Sequence, residues 1–420
     1  MRPGEDSLTH PLPAGMRDLL PAESRALSAL GRGLLGSFEL FGYQRVTVPV
    51  FEYAAVLERG LGALDPREVL RFVEPESGEV VALRPDMTPQ IARLVATRLR
   101  DVPGPARLAY EGSVVRLRRE RARRHRQIPQ AGIELIGSAA PAGDFEVLEV
   151  ACSALRRSGL DRFVLDLGHA RIAGALLETL PEAAQAELVD ALAQKDHFEL
   201  ERRARAASLD AEMVRALVAL TELHGGAEIW PEARRRLGAT PARTGLEELE
   251  RTWERATSLA MAPVVSVDLG EVRDLGYYTG VTFQMLAEGP GAPVGSGGRY
   301  DRLLESFGAP RPAAGFAVAL DHLSWALGQA PGAAARVLVN GRDVGAVIAA
   351  LHADGVAAAA APEQVWEHAR AWQFSHVLEL EQGRALLIRV ADGRQSEIPM
   401  AESGPISRAV AQALEKEQSQ

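Results

Sequence analysis

Residues 107–137 read RLAYEGSVVRLRRERARRHRQIPQAGIELIG. Arg107 to Val115 and Gln127 to Ile136 carry apolar and β-branched residues at strand spacing, so they predict two strands. Between and beside them stand seven arginines: Arg116, Arg118, Arg119, Arg121, Arg123, Arg124 and Arg126. Strand, basic loop and strand make a hairpin. The loop reads either as a solvated basic face or as an anion site, because guanidinium forks suit phosphates and carboxylates. On the second strand Gln130, Gly132 and Glu134 occupy alternate positions and share a face. A Gln and a Glu on one face, with room above Gly132, predict a pocket for a polar ligand.

Outward from the hairpin, the pattern stays antiparallel. A helix is predicted over Pro21 to Leu40, with Leu27, Leu30, Leu34, Leu35 and Phe38 on one side and Gly42 as its stop. Strands are predicted at Gln44 to Val48, ended by Pro49, and at Val69 to Phe72, Val80 to Leu83, Phe163 to Leu167, Val264 to Val267, Val281 to Met285 and Ala314 to Val318. Helices are predicted at Pro89 to Arg100, Gly143 to Ser158 and Asp321 to Leu327. Strands joined mainly by hairpins argue for an α+β antiparallel sheet flanked by helices. No strand, glycine-rich loop and helix succeed one another as a Rossmann or P-loop opening would require, and GSGGRY at 295–300 lacks either spacing. Ile172 to Leu259 is Ala, Leu, Glu and Arg at helical spacing, an all-helical insertion. GQAPGAAA at 328–335 is a linker by composition. The expected domains are a discontinuous core (1–171 and 263–327), the insertion (172–262) and a small C-terminal α/β domain (336–420) whose alanine run at 357–361 is low in complexity.

The formal net charge of the 420-residue chain is -9, which weighs against tRNA or DNA as principal partner. From Ala333 onward eight basic residues face eleven acidic ones, a poor surface for RNA phosphates. The single cysteine, Cys152, excludes an internal disulfide framework and any multi-cysteine zinc site. No apolar run is long enough to span a bilayer and the N-terminus lacks an apolar signal core, so the expected location is the cytoplasm. No metal and no cofactor are expected.

Two further stretches carry polar groups in suggestive places. Leu83-Arg-Pro-Asp-Met-Thr88 opens a helix, where Asp86 and Thr88 would cap it or bind an ammonium. Arg273-Asp-Leu-Gly-Tyr-Tyr-Thr-Gly280 is followed by Gly297-Gly-Arg-Tyr-Asp301 and Gly315-Phe-Ala-Val-Ala-Leu-Asp-His322, which read as tight turns with packing tyrosines or as backbone approached closely by a ligand. Taken in this order, these motifs resemble the histidyl-tRNA synthetase lineage of class II synthetases over roughly residues 9–327. PAGMRDLLP at 13–21 resembles the N-terminal signature of that lineage, Gly42 to Pro49 resembles motif 1, Arg107 to Gly137 resembles motif 2, RDLGYYTG resembles the histidine-specific loop, and GGRYD to Asp321-His322-Leu323 runs into motif 3.

The resemblance implies an amino-acid site at Asp86, Thr88, Arg116, Gln130, Glu134, Arg273, Tyr277 and Tyr278. Asp86 and Thr88 would meet the α-ammonium, Arg116 and Arg273 would lie by the carboxylate, and Glu134 with Tyr278 would hydrogen-bond the imidazole. The nucleotide side departs from the family. The motif 3 arginine that holds the γ-phosphate falls at His322, and the motif 2 glutamate near the adenine falls at Arg118. A neutral imidazole does not replace a bidentate guanidinium. LRPDMTPQIAR and RDLGYYTG are similar to one branch of the lineage, the regulatory subunits of ATP phosphoribosyltransferase. That similarity implies a non-catalytic partner of a short-form catalytic subunit, active at the first step of histidine biosynthesis, with L-histidine as an effector. Motif 1 implies a dimer. The rival readings are a working histidyl-tRNA synthetase and a tRNA- or histidine-sensing module.

Overall fold

The computed structural model describes residues 12–61, 68–117, 125–272, 277–328, 335–399 and 406–418. It divides into two compact units, Met1–Pro331 and Gly332–Gln420. The predicted linker lies mostly outside the described residues, at 329–334.

In the first unit the strands are β1 (Gln44–Arg45), β2 (Phe51–Tyr53), β3 (Arg71–Val73), β4 (Val80–Leu83), β5 (Ala106–Val115), β6 (Gln127–Ile136), β7 (Val164–His169), β8 (His224–Gly225), β9 (Val264–Asp268), β10 (Val281–Leu286), β11 (Gly295–Arg299) and β12 (Ala313–Ala319). Nine of them form one sheet in the order β1-β5-β6-β12-β11-β10-β7-β9-β8. From β5 to β7 every pairing is antiparallel, as the hairpin pattern predicts; β1 on β5 and β9 on β7 are parallel. Helices α1 (Pro21–Glu39), α2 (Ala54–Leu61), α3 (Thr88–Arg98) and α4 (Ala142–Arg157) pack around it. Leu27, Leu30, Leu34, Leu35 and Phe38 are the buried face of α1, and Gly42 takes a φ of 81° where the chain turns back to the sheet. This is the expected α+β architecture, a largely antiparallel sheet with flanking helices.

Three expectations need correction. The strand predicted over Gln44 to Val48 stays in the sheet only at Gln44–Arg45, with Val46 adding one bond to the Ala109 carbonyl. The Val48 and Pro49 carbonyls instead accept from the Arg84 guanidinium, at 2.9 and 3.0 Å, which draws the chain out of the sheet. The insertion is not all helical: His224–Gly225 pairs antiparallel with β9 and extends the main sheet. Gly295–Arg299, a glycine-rich run not predicted as a strand, is a central strand.

The insertion contributes to the same hydrophobic core as the sheet, with Leu188, Leu217 and Leu249 in one cluster with Leu34, Leu148 and Phe316. Two polar contacts pin it. Lys195 Nζ donates to both carboxylate oxygens of Asp268, at 2.6 and 2.9 Å. His169 Nδ1 accepts from the Arg171 N–H, so Nε2 carries the ring proton and donates to Glu248 at 3.0 Å.

The second unit is a five-stranded sheet in which β13 (Arg336–Gly341) lies parallel between β14 (Ala357–Ala360) and β15 (His376–Glu381), followed by antiparallel β16 (Arg384–Arg389) and β17 (Gln395–Ile398). The alanine run is therefore an edge strand.

Candidate functional site

The register of β5, β6, β12 and β11 decides where space is left. Glu134 stands opposite Leu108 on β5 and Gly315 on β12. Gly132 stands opposite Tyr110 and Ala317, and Gln130 opposite Gly112 and Ala319. Ala317 in turn faces Ser296 on β11. One face of four adjacent strands thus carries mostly Gly, Ala and Ser, and aromatic rings close over it. Tyr277, Tyr278 and Tyr300 form a cluster with ring centroids 4.9 to 6.5 Å apart. The result is a cavity of about 120 Å³.

The space over Gly132, predicted to receive a ligand, is filled by Tyr110. A Cβ on Gly132 would lie 2.6 Å from the Tyr110 hydroxyl. The cavity opens further along the same face, over Gln130, Ala317 and Ala319.

Asp86 and Thr88 reach the cavity from the start of α3. Asp86 accepts from the Thr88 N–H at 3.1 Å through one carboxylate oxygen and from the Tyr277 hydroxyl at 3.0 Å through the other. Thr88 Oγ1 donates to Glu134 at 2.6 Å. Its proton being committed there, Oγ1 presents lone pairs to the cavity. Arg116 donates from Nε to the Pro85 carbonyl at 2.7 Å, which orients its guanidinium on the cavity wall.

Glu134 is placed differently. It is 1% exposed and is not among the lining residues; Thr88 and the Tyr300 hydroxyl donate to its two oxygens. Burial pushes its carboxyl well above the usual carboxylate range, and burial likewise raises the Tyr110 and Tyr277 phenols, so both rings remain donors. Thr88 and Tyr300, which do line the cavity, stand between Glu134 and that space.

His322 also lines the cavity, buried, with Nδ1 2.8 Å from the Pro293 carbonyl. A carbonyl only accepts, so Nδ1 carries a proton and donates it there.

The first unit matches known proteins over most of its length. The family described as Histidyl-tRNA synthetase matches residues 15–323. An ATP phosphoribosyltransferase regulatory subunit of Moorella thermoacetica is 43% identical over 341 residues, 80% of this chain and 87% of its own. One from Syntrophotalea carbinolica is 35% identical over 407 residues, 93% and 95% of the two chains. A solved structure from Bacillus halodurans, described as an ATP phosphoribosyltransferase regulatory subunit/histidyl-tRNA synthetase, superposes with a TM-score of 0.77 at 30% identity, covering 88% of this chain and 97% of the other. The histidyl-tRNA synthetase of Nostoc sp. PCC 7120 gives the same TM-score at 18% identity, over 97% of this chain and 99% of its own, a likeness of fold. The chain belongs to the histidyl-tRNA synthetase-like family of ATP phosphoribosyltransferase regulatory subunits.

Within this family member, the cavity brings together Asp86, Thr88, Arg116, Gln130, Tyr277, Tyr278 and His322. Of the three other positions named from the sequence, Glu134 lies behind Thr88, and Arg118 and Arg273 lie outside the described residues, as do the arginines at 119, 121, 123 and 124. Tyr110 and Tyr300 were missed as cavity residues. The signal for Tyr110 was an aromatic residue directly across a hairpin from Gly132, but that pairing needs the register, which the loop between the strands obscures. Arg299, quoted in the same motif as Tyr300, is structural: it is buried and donates to Asp144 at 2.7 Å and Asp301 at 2.8 Å. Among the described residues no group of three His, Cys, Asp or Glu side chains is placed to hold a metal ion, and no helix is long and apolar enough to cross a membrane.

Proposed function

We propose that this chain is the non-catalytic regulatory subunit of an ATP phosphoribosyltransferase, that it acts with a short-form catalytic subunit at the first step of histidine biosynthesis, and that its cavity binds free L-histidine as the feedback signal. The basic unit is a dimer formed around the motif 1-like region. The observation that carries the reading is a single cavity with a carboxylate and a guanidinium on its walls, Asp86 and Arg116. Opposite charges in one enclosed space suit a zwitterion. Asp86, the lone pairs of Thr88 and the Gln130 carbonyl take the ammonium, Arg116 takes the carboxylate, and the tyrosine cluster packs the planar ring. The chain does not activate the amino acid: at the position where the resemblance implies the motif 3 arginine that holds phosphate, it carries His322, an imidazole in place of a guanidinium.

The test is reconstitution. The catalytic subunit alone should condense ATP with phosphoribosyl pyrophosphate poorly, this chain should restore the rate, and L-histidine should lower it again. Calorimetric titration of the chain alone should show one histidine site. The match to the synthetase family favours a second reading, a working histidyl-tRNA synthetase; clear histidine-dependent ATP–pyrophosphate exchange by the isolated chain would establish it and end the first.

A further inference from the structure

The second unit carries a cavity of its own, about 550 Å³, within the range that small molecules occupy. Three pieces of chain form it: the turn that ends the helix Val365–Ala371, the start of β15 and the end of β16. Ala369 and Phe374 are buried in its wall, and Val390 adds to the apolar part. The Arg336 guanidinium lies 4.2 Å from the centre of the Phe374 ring and donates to the Trp372 carbonyl at 2.8 Å, which fixes the turn.

The charge of this wall has one sign. Arg370 reaches it from the helix and Arg389 from β16. His376, 6% exposed, stands directly opposite Arg389 in the β15–β16 register and lines the cavity as well. No lining residue carries a carboxylate. Among the described residues no carboxylate pairs with Arg370, and Asp392 reaches Arg389 only at 3.4 Å, a weak hold. The last helical carbonyls, which would repel an anion, are already engaged: Ala369 accepts from the Phe374 N–H at 2.9 Å and Arg370 from the Gln373 N–H at 3.3 Å.

Two guanidiniums brought to one cavity by different elements call for an anion with two charges, since a single carboxylate would leave one of them unanswered. A polyanion fits less well, because the unit from Ala333 onward has eight basic residues against eleven acidic ones and repels an extended phosphate backbone. We propose that this cavity is a phosphate site, in which Arg370 and Arg389 hold the dianion of a small phosphorylated molecule. The proposal does not rest on the histidine-binding reading of the first unit.

Titration calorimetry on the full chain in phosphate-free buffer tests it, with inorganic phosphate, ribose 5-phosphate and AMP as probes and acetate as the control. The phosphate probes should bind and acetate should not. Arg370→Gln and Arg389→Gln should each weaken the phosphate probes by about tenfold or more, the loss of one charge-assisted contact, with an unchanged circular dichroism spectrum. Arg370 is exposed, so its variant keeps the test decisive even where Arg389→Gln melts early. Equal affinity for the three probes would support free phosphate as the ligand, and a tighter hold on either ester would support that ester, with its organic part on Phe374 and Val390. Wild-type affinity in Arg370→Gln/Arg389→Gln overturns the site, as does the absence of binding at millimolar phosphate. Acetate bound as tightly as phosphate overturns the dianion. An oligoribonucleotide that binds where all three probes fail gives the face to RNA and overturns the small ligand.

Discussion

Replacing Asp86 by Asn should remove a charge from the cavity while disturbing the fold little. Asp86 has two duties in the structure, accepting from the Thr88 N–H at 3.1 Å and from the Tyr277 hydroxyl at 3.0 Å. Asn keeps a carbonyl oxygen for the Thr88 N–H. Its amide NH₂ then faces the Tyr277 oxygen, which reverses from donor to acceptor, because a phenol does both. Both bonds survive, so the melting temperature should move by no more than a few degrees. A hydrogen bond between charged partners contributes ~1.5–3 kcal/mol. Lost from an ammonium–carboxylate contact, that is about 10- to 150-fold in affinity, at roughly 1.4 kcal/mol per tenfold. Titration calorimetry of L-histidine into wild type and Asp86→Asn at neutral pH measures it. The ammonium-to-Asp86 contact is refuted by a variant that melts like wild type and binds histidine within about threefold of it.

Three further outcomes are expected. Burial raises the Glu134 carboxyl above its unfolded value; its contribution to stability is therefore full below about pH 4.3, the unfolded carboxyl range, and falls as the pH rises toward the folded pKa. Glu134→Gln does not titrate, so its melting temperature relative to wild type should climb between about pH 5 and pH 8, and a pH-independent difference would mean that Glu134 is ionised in the fold. Gly315→Ala places a Cβ against Glu134 and 2.8 Å from the Tyr300 hydroxyl; overpacking of this kind costs about 1–3 kcal/mol, read as a fall in melting temperature together with loss of histidine binding. The hydrogen bond from His169 holds the Glu248 carboxyl below its ordinary value, so the stability it gives is present above the unfolded pKa and is lost as the pH falls through the folded one. Glu248→Gln should melt closer to wild type in acid than at neutral pH, and an equal deficit at both would discount the hydrogen bond to the charged carboxylate.

Much of the fold was legible because local pattern and final pairing agree. Gln127 to Ile136, which alternates from Gln130 to Leu135, is β6 over those residues; Pro89 to Arg100 reads as a helix and is one at Thr88–Arg98. The pattern failed where tertiary contacts decide. Gly295–Arg299 has no apolar alternation, because its glycines lie under neighbouring groups: a Cβ on Gly298 would be 2.9 Å from the Tyr278 ring, and one on Gly295 2.5 Å from Met285. Gln44 to Val48 alternates like a strand, but a distant arginine takes its last carbonyls. The candidate site divides in the same way. Residue types at family spacing located Asp86, Thr88, Arg116, Gln130 and both tyrosines, whereas the withdrawal of Glu134 behind Thr88 depends on Tyr300, 166 residues further along the chain.

That withdrawal bears on how the proposed ligand is read. A carboxylate facing an imidazole directly would favour the imidazolium, and its hold on the ring would follow the ring's own titration near neutral pH. Here the group behind the wall is a carboxyl that burial holds toward its neutral form, and hydroxyls stand between it and the cavity. The Thr88 hydroxyl, its proton given to Glu134, offers the cavity lone pairs. On the proposed reading, the fixed charges of the cavity, Asp86 and Arg116, act on the ammonium and carboxylate that every amino acid carries, and the selection of histidine falls to the neutral rings and hydroxyls of the tyrosine cluster. Such a pocket should hold histidine with nearly constant affinity between about pH 6 and pH 8, across the imidazole's reference pKa of about 6.5. A tenfold or greater gain in affinity on acidification through that range would instead place a charged carboxylate on the imidazole, and would bring Glu134 back to the cavity wall.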